Sequence, residues 1–372
     1  MVGAGQLARM THQAAVDLDI ELVVLAASDE DSAVVGGAPY RLGSVASLAD
    51  LEAVASAADV VTFDHELVPT ENLVKLRRIG YRLEPTPSAL RLAQDKLEAR
   101  HVLSTAGFPT PAFESISSIS DAMAFTSEHG WPIVLKSRRG GYDGRGVHVV
   151  DNPGQLASLL KGNPDEEAVW LAEEFVDIKA ELSVLIARTT AGRSVVYPAV
   201  ETFQREGICR YLTMPATQPL RILEQAGQMA GSIAGTIGAT GMLAVEMFVT
   251  TGNDLLVNEL ALRPHNSGHA TIEACVTSQF HQHLRAVLDW PLGSTSMRSN
   301  AAATVNLIGE MHELDIAARL PQALAIPGVH VHLYAKTPRP GRKFGHITVL
   351  DDSASGALET AKAAAELITK PR

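Results

Sequence analysis

Leu243-Ala-Val-Glu-Met-Phe-Val-Thr-Thr-Gly-Asn-Asp-Leu-Leu-Val-Asn-Glu-Leu260 consists of two apolar runs joined by Thr251-Gly252-Asn253-Asp254. Such runs on either side of a Gly-Asn turn predict a β-hairpin with strands over 243–250 and 255–260. With the turn centred between Gly252 and Asn253, Glu246 faces Glu259 directly. Two carboxylates with Cβ atoms about 5 Å apart on apolar strands repel, so the arrangement costs stability unless a cation lies between them. Mg2+, or Mn2+, suits two carboxylates on one side and phosphate oxygens on the other, the usual arrangement at a nucleotide. Asn258 points to the opposite face unless a bulge intervenes. In the alternative, another register leaves both glutamates in solvent, but the Leu, Val and Met neighbours make the hairpin central rather than edge-like.

Leu260-Ala-Leu-Arg-Pro-His-Asn-Ser-Gly-His269 follows, too polar and kinked to continue the sheet. Arg263 comes four residues after Glu259, Pro264 delays any helix, and His265, Asn266 and His269 crowd together, which reads as a functional loop beside the metal. His265 and His269 as zinc ligands would be the alternative, but no cysteine or third close ligand accompanies them.

Upstream lies Lys136-Ser-Arg-Arg-Gly-Gly-Tyr-Asp-Gly-Arg-Gly-Val147, between apolar runs at 131–135 and 147–150 that read as strands. Gly140, Gly141, Gly144 and Gly146 let the backbone reach positive φ and approach a ligand, while Lys136, Arg138, Arg139 and Arg145 supply positive charge. Polyphosphate is the guest this composition fits. The loop matches neither the Walker spacing nor a dinucleotide fingerprint, and a solvated basic turn is the plainer alternative.

The remaining chain organises itself around these stretches. At 372 residues, with 46% apolar and 20% charged residues, it has room for two or three domains with large cores. A net charge of −11 argues against a nucleic-acid partner, so basic clusters become sites for small anions. No apolar segment is long enough to span a bilayer and the N-terminus does not read as a secretory signal, which points to the cytoplasm. Cys209 and Cys275 lack metal-ligand spacing and read as buried thiols. The opening alternation of helix and strand, with strands at 22–25, 60–63 and 81–83, is the rhythm of an open parallel α/β sheet. Gly3-Ala-Gly-Gln-Leu-Ala8 is a partial dinucleotide fingerprint or a tight strand-to-helix turn, and its nearly absent first strand implies a natural start a few residues upstream. Phe63-Asp64-His65-Glu66 ends a strand where ligands usually sit in such sheets, unless it is simply solvated. A helix over 88–105 carries Asp95 and Lys96, and Gly107-Phe-Pro-Thr-Pro111 then breaks the pattern.

Residues 112–185 read as a small α+β lid around the glycine loop, with Glu173 and Glu174 placed to meet a nucleoside or solvent. The basic loop Lys336-Thr-Pro-Arg-Pro-Gly-Arg-Lys-Phe-Gly-His346 lies between two strand-like runs and offers a second anion site. An Ala-rich helix over 357–368 closes the chain. The expected segments are 1–108 (α/β), 109–185 (lid), 186–295 (central, with the metal hairpin) and 296–372 (C-terminal, β-rich).

Gly-Ala-Gly-Gln-Leu-Ala-Arg-Met at 3–10, the glycine loop at 140–146, Asn258-Glu259-Leu-Ala, Arg-Pro-His-Asn-Ser-Gly-His at 263–269 and Arg-Pro-Gly-Arg-Lys-Phe-Gly-His at 339–346, in this order, resemble the N5-carboxyaminoimidazole ribonucleotide synthetases of purine biosynthesis. The resemblance covers nearly the whole chain. It implies an ATP-grasp fold preceded by an α/β domain, a homodimer, and ATP-dependent carboxylation of 5-aminoimidazole ribonucleotide by bicarbonate through carboxyphosphate. It further implies that Lys96 and Lys136 hold phosphates and that the loop Gly141, Tyr142, Asp143, Gly144, Arg145, Gly146, Val147 closes over ATP. Glu173, Glu174, Phe175, Val176, Glu181, Gln204 and Asn258 would then surround the nucleotide, with Mg2+ on Glu246 and Glu259. Arg263 clamps developing negative charge, and Tyr142, Asp143, His265, Asn266, Ser267, Lys336, Arg342 and Lys343 meet the ribonucleotide. Tyr142, Asp143 and Asn266 are expected to act in catalysis as well. Gln204 stands where many members have histidine, Leu262 where proline is common, and Ala8 where glycine is usual. Other readings are a formate-using glycinamide ribonucleotide transformylase, a nucleotide-binding regulator without catalysis, or a dehydrogenase built on the first glycine turn.

Overall fold

Gly3 and Gly5 set the first element. Gly3 takes φ +96°, and the Asp64 carboxylate fills the space where a Cβ would stand, so only glycine fits on both counts. The Gly5 amide, at the N-cap of helix Gln6–Asp17, donates to Asp64 Oδ2 at 2.7 Å. The first glycine turn is therefore a strand-to-helix turn capped by the chain's own carboxylate. The computed structural model describes residues 1–141, 144, 146–161, 170–310 and 314–370. Tyr142, Asp143 and Arg145 of the expected site lie outside the described residues.

The opening sheet is parallel, as the alternation predicts, but its strands are short. Val24–Ala26 pairs with Tyr40–Leu42, Val2 bridges Leu25 and Phe63, and Val61 bridges Leu83. The strand expected over 22–25 begins later, and those expected near 60–63 and 81–83 are reduced to single bridges. The helix expected over 88–105 is two helices, Pro87–Gln94 and Lys96–Thr105. Asp95 separates them with extended backbone and accepts from the Glu98 amide at 3.1 Å, so it caps the second helix. Lys96 thereby starts a helix instead of riding inside one.

A four-stranded antiparallel sheet, ordered Phe113–Ile116, Trp170–Glu174, Ile133–Ser137 and Val147–Val150, with helices Ile119–His129 and Pro153–Lys161, occupies the segment expected to form the lid. Its core gathers Ile116, Phe125, Ile133, Leu135, Val150 and Leu156. The hairpin Gly241–Thr250 and Leu255–Ala261 belongs to a nine-stranded sheet in which Gly241–Thr250 lies between Leu255–Ala261 and Ile178–Arg188. That sheet runs on through Val200–Arg205 and Ile208–Met214 to Ala301–Ile308, Lys343–Asp351 and Val329–Leu333. One sheet thus crosses the junction expected near residue 296.

Packing explains the compositions. Every residue of Ala301–Ile308 is buried, and the Ala-rich helix Ala354–Thr369 turns Ala357, Ala361, Ala364, Ala365 and Ile368 onto the same core. These recur at three- and four-residue steps, so one small-residue face lies along the sheet. Helix Leu220–Thr236 covers the central strands with Ile222, Ala226, Ala230 and Ile233.

Candidate active site

The hairpin brings Glu246 opposite Glu259, by a different route from the expected one. Beside the turn, Val249 pairs with Leu255 and Met247 with Val257, a register that would continue to Glu246 with Asn258. A bulge between Glu246 and Met247 leaves Asn258 as the extra residue and moves Glu259 into the pair. The bulge also turns Asn258 into the site, where Lys136 Nζ donates to its Oδ1 at 3.0 Å. Asn258 and Glu259 therefore act on one face, whereas strict alternation would separate them.

Charge is concentrated around this pair. Glu246 has its pKa raised, first by burial and then by the charges of Glu259 and Glu181. Lys96 Nζ pairs with Glu259. Lys136 Nζ lies 2.7 Å from Glu173 Oε2, while Arg100 Nε donates to Glu173 Oε1 at 2.5 Å, so both oxygens of this buried glutamate face cations. Burial lowers the pKa of Lys136 despite Glu173. Glu174 Oε1 accepts from the Ala112 amide at 2.8 Å. Phe175 is exposed and Val176 half-buried in the link before strand Ile178–Arg188. On that strand the Glu181 carboxylate accepts from Gln204 Nε2 at 2.8 Å, and burial raises its pKa.

The stretch after the hairpin joins three parts of the chain. Arg263 Nε donates to Glu66 Oε2 at 2.8 Å, so the Phe63–Glu66 strand end faces the site rather than open solvent. Burial opposes the Arg263 charge, but Glu66, Asp64 and Glu259 raise its pKa above the ordinary value. Gln279 fixes His265 at both ends of its backbone, accepting from its N–H at 2.9 Å and donating to its carbonyl at 2.8 Å. His265 Nδ1 meets Ser267 Oγ at 2.8 Å, Ser267 meets Ser183 at 2.7 Å, and Ser183 is the cross-strand partner of Glu246. His265 Nε2 reaches within 3.6 Å of Glu246 Oε1, with its pKa held well below 6.5 by burial, Arg263 and Lys343. Asn266 is half-buried at the start of the 3-10 turn Asn266–Gly268. His269 departs from this cluster into a buried stack, its ring 4.6 Å from His346. Among the described residues, no group of three or more His, Cys, Asp or Glu could hold a metal alone. Glu246 and Glu259 with Asn258 are an oxygen set that suits a hard divalent ion sharing its shell with phosphate, and such an ion would offset the burial and carboxylate repulsion that raise the pKa of Glu246.

The two basic loops behave differently from each other. Lys336 Nζ pairs with Gln6 Oε1, which brings the C-terminal loop against the first helix, and burial followed by Arg342 lowers its pKa. The charge of Lys343 is felt at Glu246 and His265, and Arg342 contributes its carbonyl to the Gly309 amide at 2.9 Å. In the glycine loop, Gly140, Gly144 and Gly146 do take positive φ. A Cβ on Gly144 would come within 2.6 Å of Gly207 Cα, so the loop rests backbone to backbone on the Glu206–Gly207 turn. Gly141 is half-buried and Val147 exposed. Arg138 and Arg139, read from the sequence as charges around the loop, are instead paired with Asp95. Arg100, Ser183, Gln279 and Gly207 carry no sequence signal of their own, because each acts on a residue far away in the chain, and the same holds for the grip of Asp95 on Arg138 and Arg139.

Residues 1–94 match the ribonucleotide synthetase preATP-grasp domain, 101–280 the ATP-grasp domain, and 302–360 the phosphoribosylaminoimidazole carboxylase C-terminal domain. The chain is 43% identical to the N5-carboxyaminoimidazole ribonucleotide synthase of Mycobacterium tuberculosis, over all of this chain and 88% of that protein. A solved N5-carboxyaminoimidazole ribonucleotide synthetase from Thermus thermophilus superposes with a TM-score of 0.89 at 34% identity, covering 100% of this chain and 99% of the other. The Aspergillus clavatus N5-carboxyaminoimidazole synthase, solved in complex with ADP and 5-aminoimidazole ribonucleotide, gives 0.90 at 31% identity, covering 98% and 97%. On these grounds the chain belongs to the N5-carboxyaminoimidazole ribonucleotide synthase family of ATP-grasp enzymes.

Proposed function

We propose that this protein is an ATP-dependent ligase that carboxylates the exocyclic amine of 5-aminoimidazole ribonucleotide with bicarbonate, in purine biosynthesis. Bicarbonate oxygen attacks the γ-phosphorus of ATP, ADP leaves, and carboxyphosphate forms. Its breakdown gives CO2 and phosphate, and the amine adds to CO2 with loss of a proton to yield the N5-carbamate. The observation that carries this reading is the facing pair Glu246 and Glu259, set between Lys96, Lys136 and Arg263 on apolar strands.

In this assignment Lys96 leaves Glu259 for phosphate oxygens, while Lys136, still held by Asn258 and Glu173, turns its remaining donor to one. Glu246 and Glu259, with Asn258 beside them, would hold Mg2+, which when bound offsets the charge of the transferring phosphoryl group. Glu181, held by Gln204, and the segment from Glu173 to Val176 flank the nucleoside. Arg263 steadies anionic charge on the bicarbonate-derived species, aimed by Glu66. His265, Asn266 and Ser267 face the ribonucleotide from one side, and Lys336, Arg342 and Lys343 meet its phosphate from the other. Tyr142 and Asp143 complete the reading at the loop centre. No helix among the described residues is long and apolar enough to cross a membrane. A cytoplasmic homodimer, built from segments dividing near residues 108, 185 and 295, belongs to the same proposal, and sedimentation and limited proteolysis test it.

The decisive experiment measures ATP hydrolysis with and without the ribonucleotide and bicarbonate. Strong stimulation when both are present is expected; no stimulation by the ribonucleotide overturns the assignment.

A further inference from the structure

Asp95 is fully buried, and its two oxygens take five short contacts. Arg138 Nε donates to Oδ1 and Oδ2 at 2.8 and 2.9 Å, Arg139 Nε and Nη2 lie 3.0 and 2.9 Å from Oδ2, and the Glu98 amide donates to Oδ1 at 3.1 Å. The backbone adds a further tie, because the Lys96 amide donates to the Arg138 carbonyl at 3.0 Å. A buried carboxylate persists as a charge only with such partners. Two arginines at the mouth of a glycine loop would otherwise be natural phosphate ligands, so their commitment to Asp95 requires a different purpose.

The positions supply one. Asp95 immediately precedes Lys96 and Arg138 lies two residues beyond Lys136, so this knot joins the start of the helix that carries Lys96 to the end of the strand that carries Lys136. A second tie lies one helical turn along: Arg100 grips Glu173, and Glu173 in turn holds Lys136. Helix Lys96–Thr105 and the base of the lid are therefore gripped at two points, and the first residue beyond the knot with positive φ is Gly140. We infer that Asp95 is a positioning residue for the nucleotide: it tethers the base of the glycine loop to the helix bearing Lys96, so that Lys96 and Lys136 address one phosphate chain while the loop bends beyond Arg139. This rests on the reading of both lysines as phosphate ligands.

Asp95→Asn separates the tether from the helix cap, since asparagine still accepts from the Glu98 amide but carries no charge to hold the arginines. Binding of Mg2+-ATP to the full chain, measured by calorimetry, is expected to weaken about tenfold, with kcat at saturating ATP within about threefold of wild type. Asp95→Glu should recover part of the affinity. In an Arg138→Gln, Arg139→Gln background, Asp95→Asn should add less than about twofold, because the partners it acts through are gone. Wild-type affinity in Asp95→Asn, or equal losses in the two backgrounds, overturns the inference; the latter would mean that Asp95 acts by a route that does not pass through the arginines. Should Asp95→Asn fail to fold, the arginine double variant carries the test, and unchanged ATP affinity there also overturns it. Failure of the wild-type chain to bind Mg2+-ATP overturns both this inference and the reading beneath it.

Discussion

The carboxylate hairpin and the glycine loop are both turns between antiparallel strands, and they hold their residues by opposite means. Glu246 and Glu259 are fixed by main-chain register at one end of a nine-stranded sheet, where Leu255–Ala261 is the edge strand rather than the central one its apolar neighbours suggested, and Val245, Met247, Val249 and Val257 bury the far face. The glycine loop lies between Ile133–Ser137 and the outer strand Val147–Val150 of the four-stranded sheet, and Lys136, Arg138 and Arg139 are held by side chains from distant elements. A register is a property of the local chain; an ion-pair knot depends on where the rest of the chain goes. Under the proposed function the hairpin is the half that stays put and the loop the half that closes over ATP.

If the hairpin is the rigid half, its charges should matter most. Glu259→Gln keeps the strand geometry and is expected to cut turnover by about a hundredfold at limiting Mg2+, measured against Mg2+ concentration. An unchanged rate would show that the hairpin carries no metal.

If the loop works by closing, its backbone contact should matter next. Gly144→Ala places a Cβ against Gly207 and imposes strain at φ +75°, so KM for ATP should rise roughly tenfold while the melting temperature hardly moves. A variant with normal KM would separate closure from the Glu206–Gly207 turn.

Asn258→Ala tests whether the bulge serves both halves, since it removes the Lys136 partner but keeps the backbone. A severalfold loss of ATP affinity, smaller than the Glu259→Gln effect on turnover, is expected from deleting one hydrogen bond that orients Lys136, about 1 kcal/mol net.

The smallest effect expected at working pH concerns the body beneath the hairpin. His283 accepts from the Met242 amide at Nδ1 and meets Thr62 at Nε2, and burial holds its pKa at about 3 against an ordinary 6.5. Between these values the unfolded chain binds a proton that the folded chain refuses. Stability present above about pH 6.5 should therefore decline as pH falls toward 3, as followed by thermal melts. His283→Gln should flatten that slope, although it also disturbs the packing around the ring.

Much of this was legible in the chain because it is local. The hairpin strands, the turn, the helix at Gln6–Asp17 and the Ala-rich closing helix follow from apolar spacing and turn residues. The facing glutamates were legible too, but a turn centred half a residue off was compensated by a bulge that nothing in the apolar pattern announces. Asp95 read as one residue inside a long helix because no proline or glycine marks the break; a buried knot with Arg138 and Arg139 holds it in an extended conformation. The glycine loop was rightly read as needing positive φ at Gly140, Gly144 and Gly146 but not at Gly141, and Arg138 and Arg139, read as charge for a polyphosphate, are paired with Asp95.

Residue chemistry by itself determined that two carboxylates, a glycine-rich loop and a polar Arg-Pro-His-Asn-Ser-Gly-His stretch lie along one chain, since spacing, period and turn chemistry act over a few residues. Tertiary structure alone decided which charge meets which: Lys96 with Glu259, Arg100 with Glu173, Arg263 with Glu66, and Asp95 with the two arginines. A charge takes whichever opposite charge folding buries beside it, and that neighbour can be 197 residues away.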